Sequence, residues 1–313
     1  MSGSDIAPKL RDVAAGMLTP FDETDTDEIR DTELAATAQW LYDGGIRLYL
    51  ACANISEYHS LTQDERIETA RVVCDALPED ATVLAGAGGS TKSAIELAQA
   101  HQENGADGIM VMPPDHIFKH EQGVVDYYHR LADAVDIGIV PYIRGFDATV
   151  GLLRGITAHE NVVGVKWAIS DIELFSECVA ATDDDVVWMC GMAEPPAPAY
   201  YYEGAEGFSA GVTNFEPRLG IALFDALEAG DDDLAHELRD LSFPFMNLRA
   251  ERGEDNVYAG ANSVPAVKRG LELAGQYGGP VREPLVELSD ADTQRADEYY
   301  EELQAGLERL DVA

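Results

Sequence analysis

Basic residues are scarce in this sequence. Lysine and arginine together number 21 against 58 aspartates and glutamates, giving a formal net charge of -37 over 313 residues. A phosphate backbone or an anionic bilayer surface would repel such a chain, so neither nucleic acid nor membrane is expected as a partner. Lysine is reduced to Lys9, Lys92, Lys119, Lys166 and Lys268. Cysteine is sparse too: Cys52, Cys74, Cys178 and Cys190 form no CxxC pair and have no histidine at ligand spacing. Cys52 and Cys190 fall in strand-like runs and read as small buried hydrophobes, so no metal is expected. No run of 18 apolar residues exists, so no membrane span is expected. The first residues lack an uninterrupted apolar stretch of the signal-peptide kind, and a soluble cytoplasmic protein is the expectation.

What the sequence does have is acid spread along its whole length. The densest runs, Asp22 to Asp27, Asp183 to Asp185 and Asp231 to Asp233, are short and interleaved with aromatic and apolar periods. That is a charged surface over a patterned core, not a disordered acidic tail. Such a surface suits a salt-loaded cytoplasm, where high ionic strength screens the self-repulsion.

Eight short apolar runs read as strands: Val13–Leu18, Arg47–Ala53, Thr82–Ala87, Gly108–Met112, Gly138–Tyr142, Val162–Lys166, Val186–Cys190 and Gly207–Val212. They are continuous rather than alternating, as parallel strands covered on both faces are. Helical patterns intervene at Asp31–Asp43, Thr62–Leu77, Thr91–Asn104 and about Glu121–Val135. Thr62 and Glu65 form a capping-box pair, and Gly105 stands at a helix stop. After about residue 215 only helical patterns remain, at Pro217–Ala229, Asp232–Arg252, Ala261–Leu273 and Ser289–Leu310. The expected fold is α/β, a (β/α)8 TIM barrel over residues 1–229 with a C-terminal helical extension over 230–313. The glycine-rich stretch from Gly86 to Thr91 lacks both the P-loop ending and the dinucleotide spacing. It reads as a tight turn, and no cofactor is expected.

A barrel of this kind carries its chemistry at the C-terminal ends of its strands. There the sixth run ends on Lys166. Burial disfavours an ammonium, and a neutral amine attacks a keto carbon to give a Schiff base. A lysine snorkelling to the rim or paired with an acid is the plainer alternative. Tyr142 ends the preceding run, where a phenol can relay a proton or simply pack on the rim. Ala53-Asn54-Ile55-Ser56-Glu57 follows the second run and can leave backbone N–H groups free to hold a carboxylate.

Together these features resemble the dihydrodipicolinate synthase and N-acetylneuraminate lyase family of Schiff-base class I aldolases and lyases, over about residues 12 to 290. The resemblance is carried by Leu18-Thr19-Pro20-Phe21, the turn from Ala53 to Glu57, Leu84 to Gly88, Tyr142, Gly164-Val165-Lys166, Gly191, and Gly207 to Asn214. It implies that Lys166 forms the Schiff base with a 2-keto acid and that Tyr142 relays protons. It implies that Asn54, Ile55 and Ser56 form the carboxylate turn, and that Gly191 and Phe208 line the pocket. It also implies a homotetramer built as a dimer of dimers. With the charge, it points to a haloarchaeal member. Two departures stand out. Asn54 replaces the threonine that usually relays between two tyrosines, and the tyrosine usually lent by a neighbouring subunit falls near Asp115-His116. His116 is either its replacement or a surface histidine. The synthase's carboxylate-binding arginine has no match, although Arg144 lies near and is a candidate for a distal hydroxyl or carboxylate. These departures, with the run at Tyr142-Ile143-Arg144 and the segment Gly279 to Leu285, favour a dehydratase or aldolase of 2-keto-3-deoxy sugar acids. The alternatives are 4-hydroxy-tetrahydrodipicolinate synthase, condensing pyruvate with aspartate semialdehyde, and a non-catalytic keto-acid-binding barrel.

Overall fold

A computed structural model describes residues 6–312. Eight parallel strands close into a barrel in chain order: β1 (Val13–Gly16), β2 (Leu48–Ala51), β3 (Thr82–Ala87), β4 (Gly108–Val111), β5 (Gly138–Ile143), β6 (Gly164–Trp167), β7 (Val187–Cys190) and β8 (Gly207–Ser209). Every strand residue is buried, which explains the unbroken apolar runs: one side chain fills the barrel while the next faces the helices.

The helices between them are α1 (Asp31–Asp43), α2 (Gln63–Ala76), α3 (Thr91–Glu103), α4 (Glu121–Ala132), α5 (Val150–Thr157), α6 (Ile172–Ala180) and α7 (Ala197–Tyr202), with α8 (Pro217–Ala229) after β8. Local chemistry sets several of their ends. The Thr62 N–H donates to Glu65 Oε2 at 2.7 Å and the Glu65 N–H to Thr62 Oγ1 at 3.3 Å, so the expected capping box is formed. Gly105 takes φ +89 just past α3, a conformation open to glycine at little cost.

The eighth strand is shorter than its apolar run. Glu194 Oε1 accepts from the N–H groups of Gly211 and Thr213 at 2.8 and 2.9 Å and from Thr213 Oγ1 at 2.7 Å. This carboxylate draws the chain out of the ladder into a 3-10 turn at Val212–Asn214. The sixth strand begins later than expected, with Val162 making only an isolated bridge to Ile139.

The extension consists of α9 (Asp232–Ala250), α10 (Ser263–Leu273) and α11 (Asp290–Arg309). These helices pack on one another, and α9 packs on α8. α10 also touches two turns at the C-terminal end of the barrel, Asn54–Ser56 and Val212–Asn214. The extension therefore meets the rim where chemistry is expected.

Candidate active site

The parallel register pairs Tyr142 of β5 directly with Lys166 of β6. Lys166 is 6% exposed, and its Nζ lies 3.8 Å from the centre of the Tyr142 ring. The strand that carries the lysine is held from behind. Trp167 points outward and meets Phe175 and Trp188 at ring-centre distances of 5.8 and 6.1 Å. Alternation then turns Lys166 inward. Gly191 makes room for it, because a Cβ there would stand 3.1 Å from Lys166 Cγ and 2.7 Å from the Trp167 carbonyl oxygen.

Burial lowers the Lys166 ammonium below its ordinary range; Tyr142 opposes this and Arg144 adds to it. Burial alone would raise the Tyr142 phenol, yet Lys166 and Arg144 outweigh it, and its acidity is enhanced. Arg144 Nη1 donates to the phenol oxygen at 3.3 Å. The result is an amine that sheds its proton readily beside a phenol that also gives up its proton more readily than usual.

These groups line a cavity of about 420 Å³ at the barrel mouth, together with Asn54, Ile55 and Gly191. Asn54 Oδ1 is buried without a hydrogen-bond partner. The turn beneath is strained. Cys52 and Glu57 have φ of 53 and 56, unusual for residues with a side chain. Buried contacts from the extension hold it there. Glu57 pairs with Lys268 of α10 at 2.7 Å and accepts from the Arg282 N–H at 2.9 Å. Their side chains are 0% and 3% exposed for Glu57 and Lys268 respectively. Lys268 is thus a second buried lysine, and scarcity does not single out Lys166. What does so is that, of the two buried lysines, Lys268 holds Glu57 while Lys166 has, among the described residues, no acid partner within ion-pair distance.

Two expected site residues are elsewhere. Phe208 does not line the cavity; it faces the helix layer, 6.4 Å from the Phe224 ring. With a side-chain period of two, its neighbour Ser209 turns inward and lines the cavity instead. Ser56 is also absent from the wall. It is buried in the turn, its Oγ accepting from the Ala53 N–H at 2.9 Å and its carbonyl from Thr19 Oγ1 at 2.7 Å. His116 stands exposed on the loop after β4, its Nδ1 taken by the Phe118 backbone, and it lies outside this cavity.

Arg249 and Ser263, which line the cavity from α9 and α10, carry no signal in the sequence. Both sit in amphipathic helical patterns where a polar residue reads as solvated surface. With Lys166 and Arg144 they complete a wall bearing three cationic side chains and, among the described residues, no carboxylate. Also among the described residues, no group of three or more His, Cys, Asp and Glu side chains is placed to hold a metal ion, and no helix is long and apolar enough to cross a membrane.

The model of the dihydrodipicolinate synthetase family matches residues 9–303. The chain belongs to this family. Among its relatives is a probable 5-dehydro-4-deoxyglucarate dehydratase of Streptomyces griseus, 32% identical over 302 residues covering 93% of this chain and 92% of the relative. Another of the same name from Acidovorax ebreus is 30% identical, covering 89% and 92%. Dihydrodipicolinate synthase from Oceanobacillus iheyensis shares the structure with a TM-score of 0.90 at 29% identity, covering 96% of this chain and 99% of the other. The corresponding Bacillus clausii enzyme has a TM-score of 0.90 at 30% identity, with the same coverage. The family's barrel with its helical extension is the fold observed here.

Proposed function

We propose that this family member is a Schiff-base lyase that removes water from a 2-keto-3-deoxy sugar acid, with a 5-dehydro-4-deoxyglucarate-like diacid as substrate. One observation carries the reading. Lys166 is buried, has no acid partner within ion-pair distance among the described residues, and lies against the ring of Tyr142 in a cavity lined by arginines. The dehydratase names of its relatives support the same reading, and place the protein among the lyases.

In this substrate class the keto carbon lies between a carboxylate and a CH2, and the next carbon bears a hydroxyl. The free amine of Lys166 adds to the keto carbon, and the carbonyl oxygen leaves as water once two protons have reached it. Tyr142 is the group placed to pass them. The resulting iminium withdraws electrons from the CH2. Loss of one of its protons gives an enamine, which expels the neighbouring hydroxyl with a proton as a second water. Hydrolysis of the unsaturated imine frees Lys166. The Asn54–Ile55 turn holds the carboxylate beside the keto carbon, and Arg144 meets the hydroxylated part of the chain. The synthase reading fits less well, since Asn54 stands where a relay hydroxyl is needed.

The homotetramer expected from the resemblance is supported by Ile117 and Phe118. They are 90% and 81% exposed, beside the position where a neighbouring subunit usually lends a side chain.

The test is to incubate the protein in molar salt with 5-dehydro-4-deoxyglucarate, follow water loss, and trap the intermediate with borohydride. A reduced adduct on Lys166 and turnover that vanishes in Lys166→Ala are expected. Absence of any adduct on Lys166 with any 2-keto acid overturns the reading. An adduct without turnover favours a binding barrel.

A further inference from the structure

Arg249 is a cation that, among the described residues, has no carboxylate in ion-pair contact. It sits near the end of α9 and faces the cavity. Its contacts are few and long: Nη2 to Ser263 Oγ at 3.2 Å, Nε to the Ser263 carbonyl at 3.4 Å, and Nη1 against Met246 Sδ at 3.1 Å. Among the described residues no carboxylate lies within ion-pair distance of it. Glu194 acts on it only from further away, and burial pushes its acidity up. Glu194 Oε1 is spent on the turn after β8, while its Oε2 is buried without a hydrogen-bond partner.

Arg249 is partly buried, and even partial desolvation of a guanidinium without an acid partner is unfavourable. A chain with 37 excess negative charges has every means of supplying one nearby. Elsewhere it does so: Arg218, Arg269, Arg282 and Arg295 each hold a carboxylate at 2.7 to 2.9 Å. At Arg249 only Ser263 and Met246 are supplied, and the side chain lines the cavity that holds Lys166.

We propose that Arg249, steadied by Ser263, binds the distal carboxylate of the substrate and makes the site selective for diacids over monoacids. This rests on the reading of Lys166 as the Schiff-base residue and adds which side chain holds the far carboxylate of that diacid. The first carboxylate is anchored at the Asn54–Ile55 turn, the keto carbon sits at Lys166, and the far end reaches the wall contributed by the extension. The extension is therefore part of the substrate pocket as well as a brace for the barrel.

Two six-carbon keto acids that differ only at the far end test this: 2-oxoadipate, with a terminal carboxylate, and 2-oxohexanoate, with a methyl. Borohydride trapping on Lys166 in molar salt reads half-saturation for each, without requiring turnover. The wild-type protein should take the diacid at a concentration about thirty-fold lower, as expected of a charge-assisted bidentate contact. Arg249→Gln should shrink that preference to within about threefold, and Arg249→Lys should keep part of it, as a point charge does. Ser263→Ala, which leaves the charge in place, should weaken the preference less than Arg249→Gln. Equal loss for both acids in Arg249→Gln, or a preference unchanged in it, overturns the proposal. So does a preference that disappears in Arg144→Gln and not in Arg249→Gln. If neither acid leaves an adduct on wild-type Lys166, the Schiff-base reading fails and this inference falls with it. If both leave one without preference, the inference alone fails.

Discussion

Tyr142 and Lys166 face each other as register partners on adjacent parallel strands, with the lysine nitrogen 3.8 Å from the centre of the phenol ring. The ladder between two buried strands holds their backbones side by side. Burial lowers the amine, while the phenol partly restores it. The direction of that coupling can be measured.

Tyr142→Phe removes the group that raises Lys166, so the amine should stay free to lower pH. The acid limb of the pH profile for pyruvate trapping should therefore move to lower pH. Turnover of the sugar acid should fall by about 10²-fold or more as the proton relay is lost. An acid limb that stays in place, or moves up, would show that the phenol does not set the state of the amine.

Gly191→Ala should impair catalysis out of proportion to its size. The added methyl would meet the Trp167 carbonyl oxygen at 2.7 Å and Lys166 Cγ at 3.1 Å. Overpacking of this kind costs about 1–3 kcal/mol, and the displaced amine should lower kcat at least as much as stability. Thermal unfolding and steady-state kinetics on the same preparation separate the two effects. Unchanged kcat would remove Gly191 from the site.

Glu57→Gln and Lys268→Met should each destabilise the protein by about 3–5 kcal/mol, since each leaves its partner as an uncompensated buried charge. The double variant should recover part of that loss. Denaturant midpoints in molar salt check this, because a pair this deeply buried is little screened. Additive losses would mean that the two side chains act independently.

Acid should weaken the fold through His101. It is fully buried, its Nε2 is 3.1 Å from the Gly86 carbonyl oxygen, and burial lowers its pKa to about 4. The unfolded chain takes up this proton near 6.5. Between those values the unfolded state binds more protons, so stability falls as pH drops from about 6.5 to 4 and levels off below. The full span is about 3 kcal/mol. His101→Gln should flatten this part of the stability profile. An unchanged slope would assign it to other groups.

Salt should raise both stability and turnover. The net charge of -37 opposes compaction and repels an anionic substrate, although the cavity wall itself is cationic. Activity that declines steadily from dilute buffer to molar salt would mean that the acidic surface serves another purpose.

The barrel was legible in the chain, because parallel strands covered on both faces leave continuous apolar runs, and helix caps such as Thr62 with Glu65 leave local signatures. The sequence also singled out Lys166 and Tyr142 as candidates, since strand ends are readable and the motif around them is distinctive. It failed at Phe208, where a shift of one residue exchanges the inner face for the outer and Ser209 takes the place at the cavity. Ser56 failed for a related reason: its hydroxyl closes its own turn rather than facing the cavity. Only the folded chain shows that Lys268 is spent on Glu57, that Lys166 has no acid within ion-pair distance among the described residues, and that Arg249 lines the cavity. Those facts depend on which remote helix is folded over the mouth of the barrel. Contacts between segments more than a hundred residues apart leave no periodicity or spacing to read in a single chain.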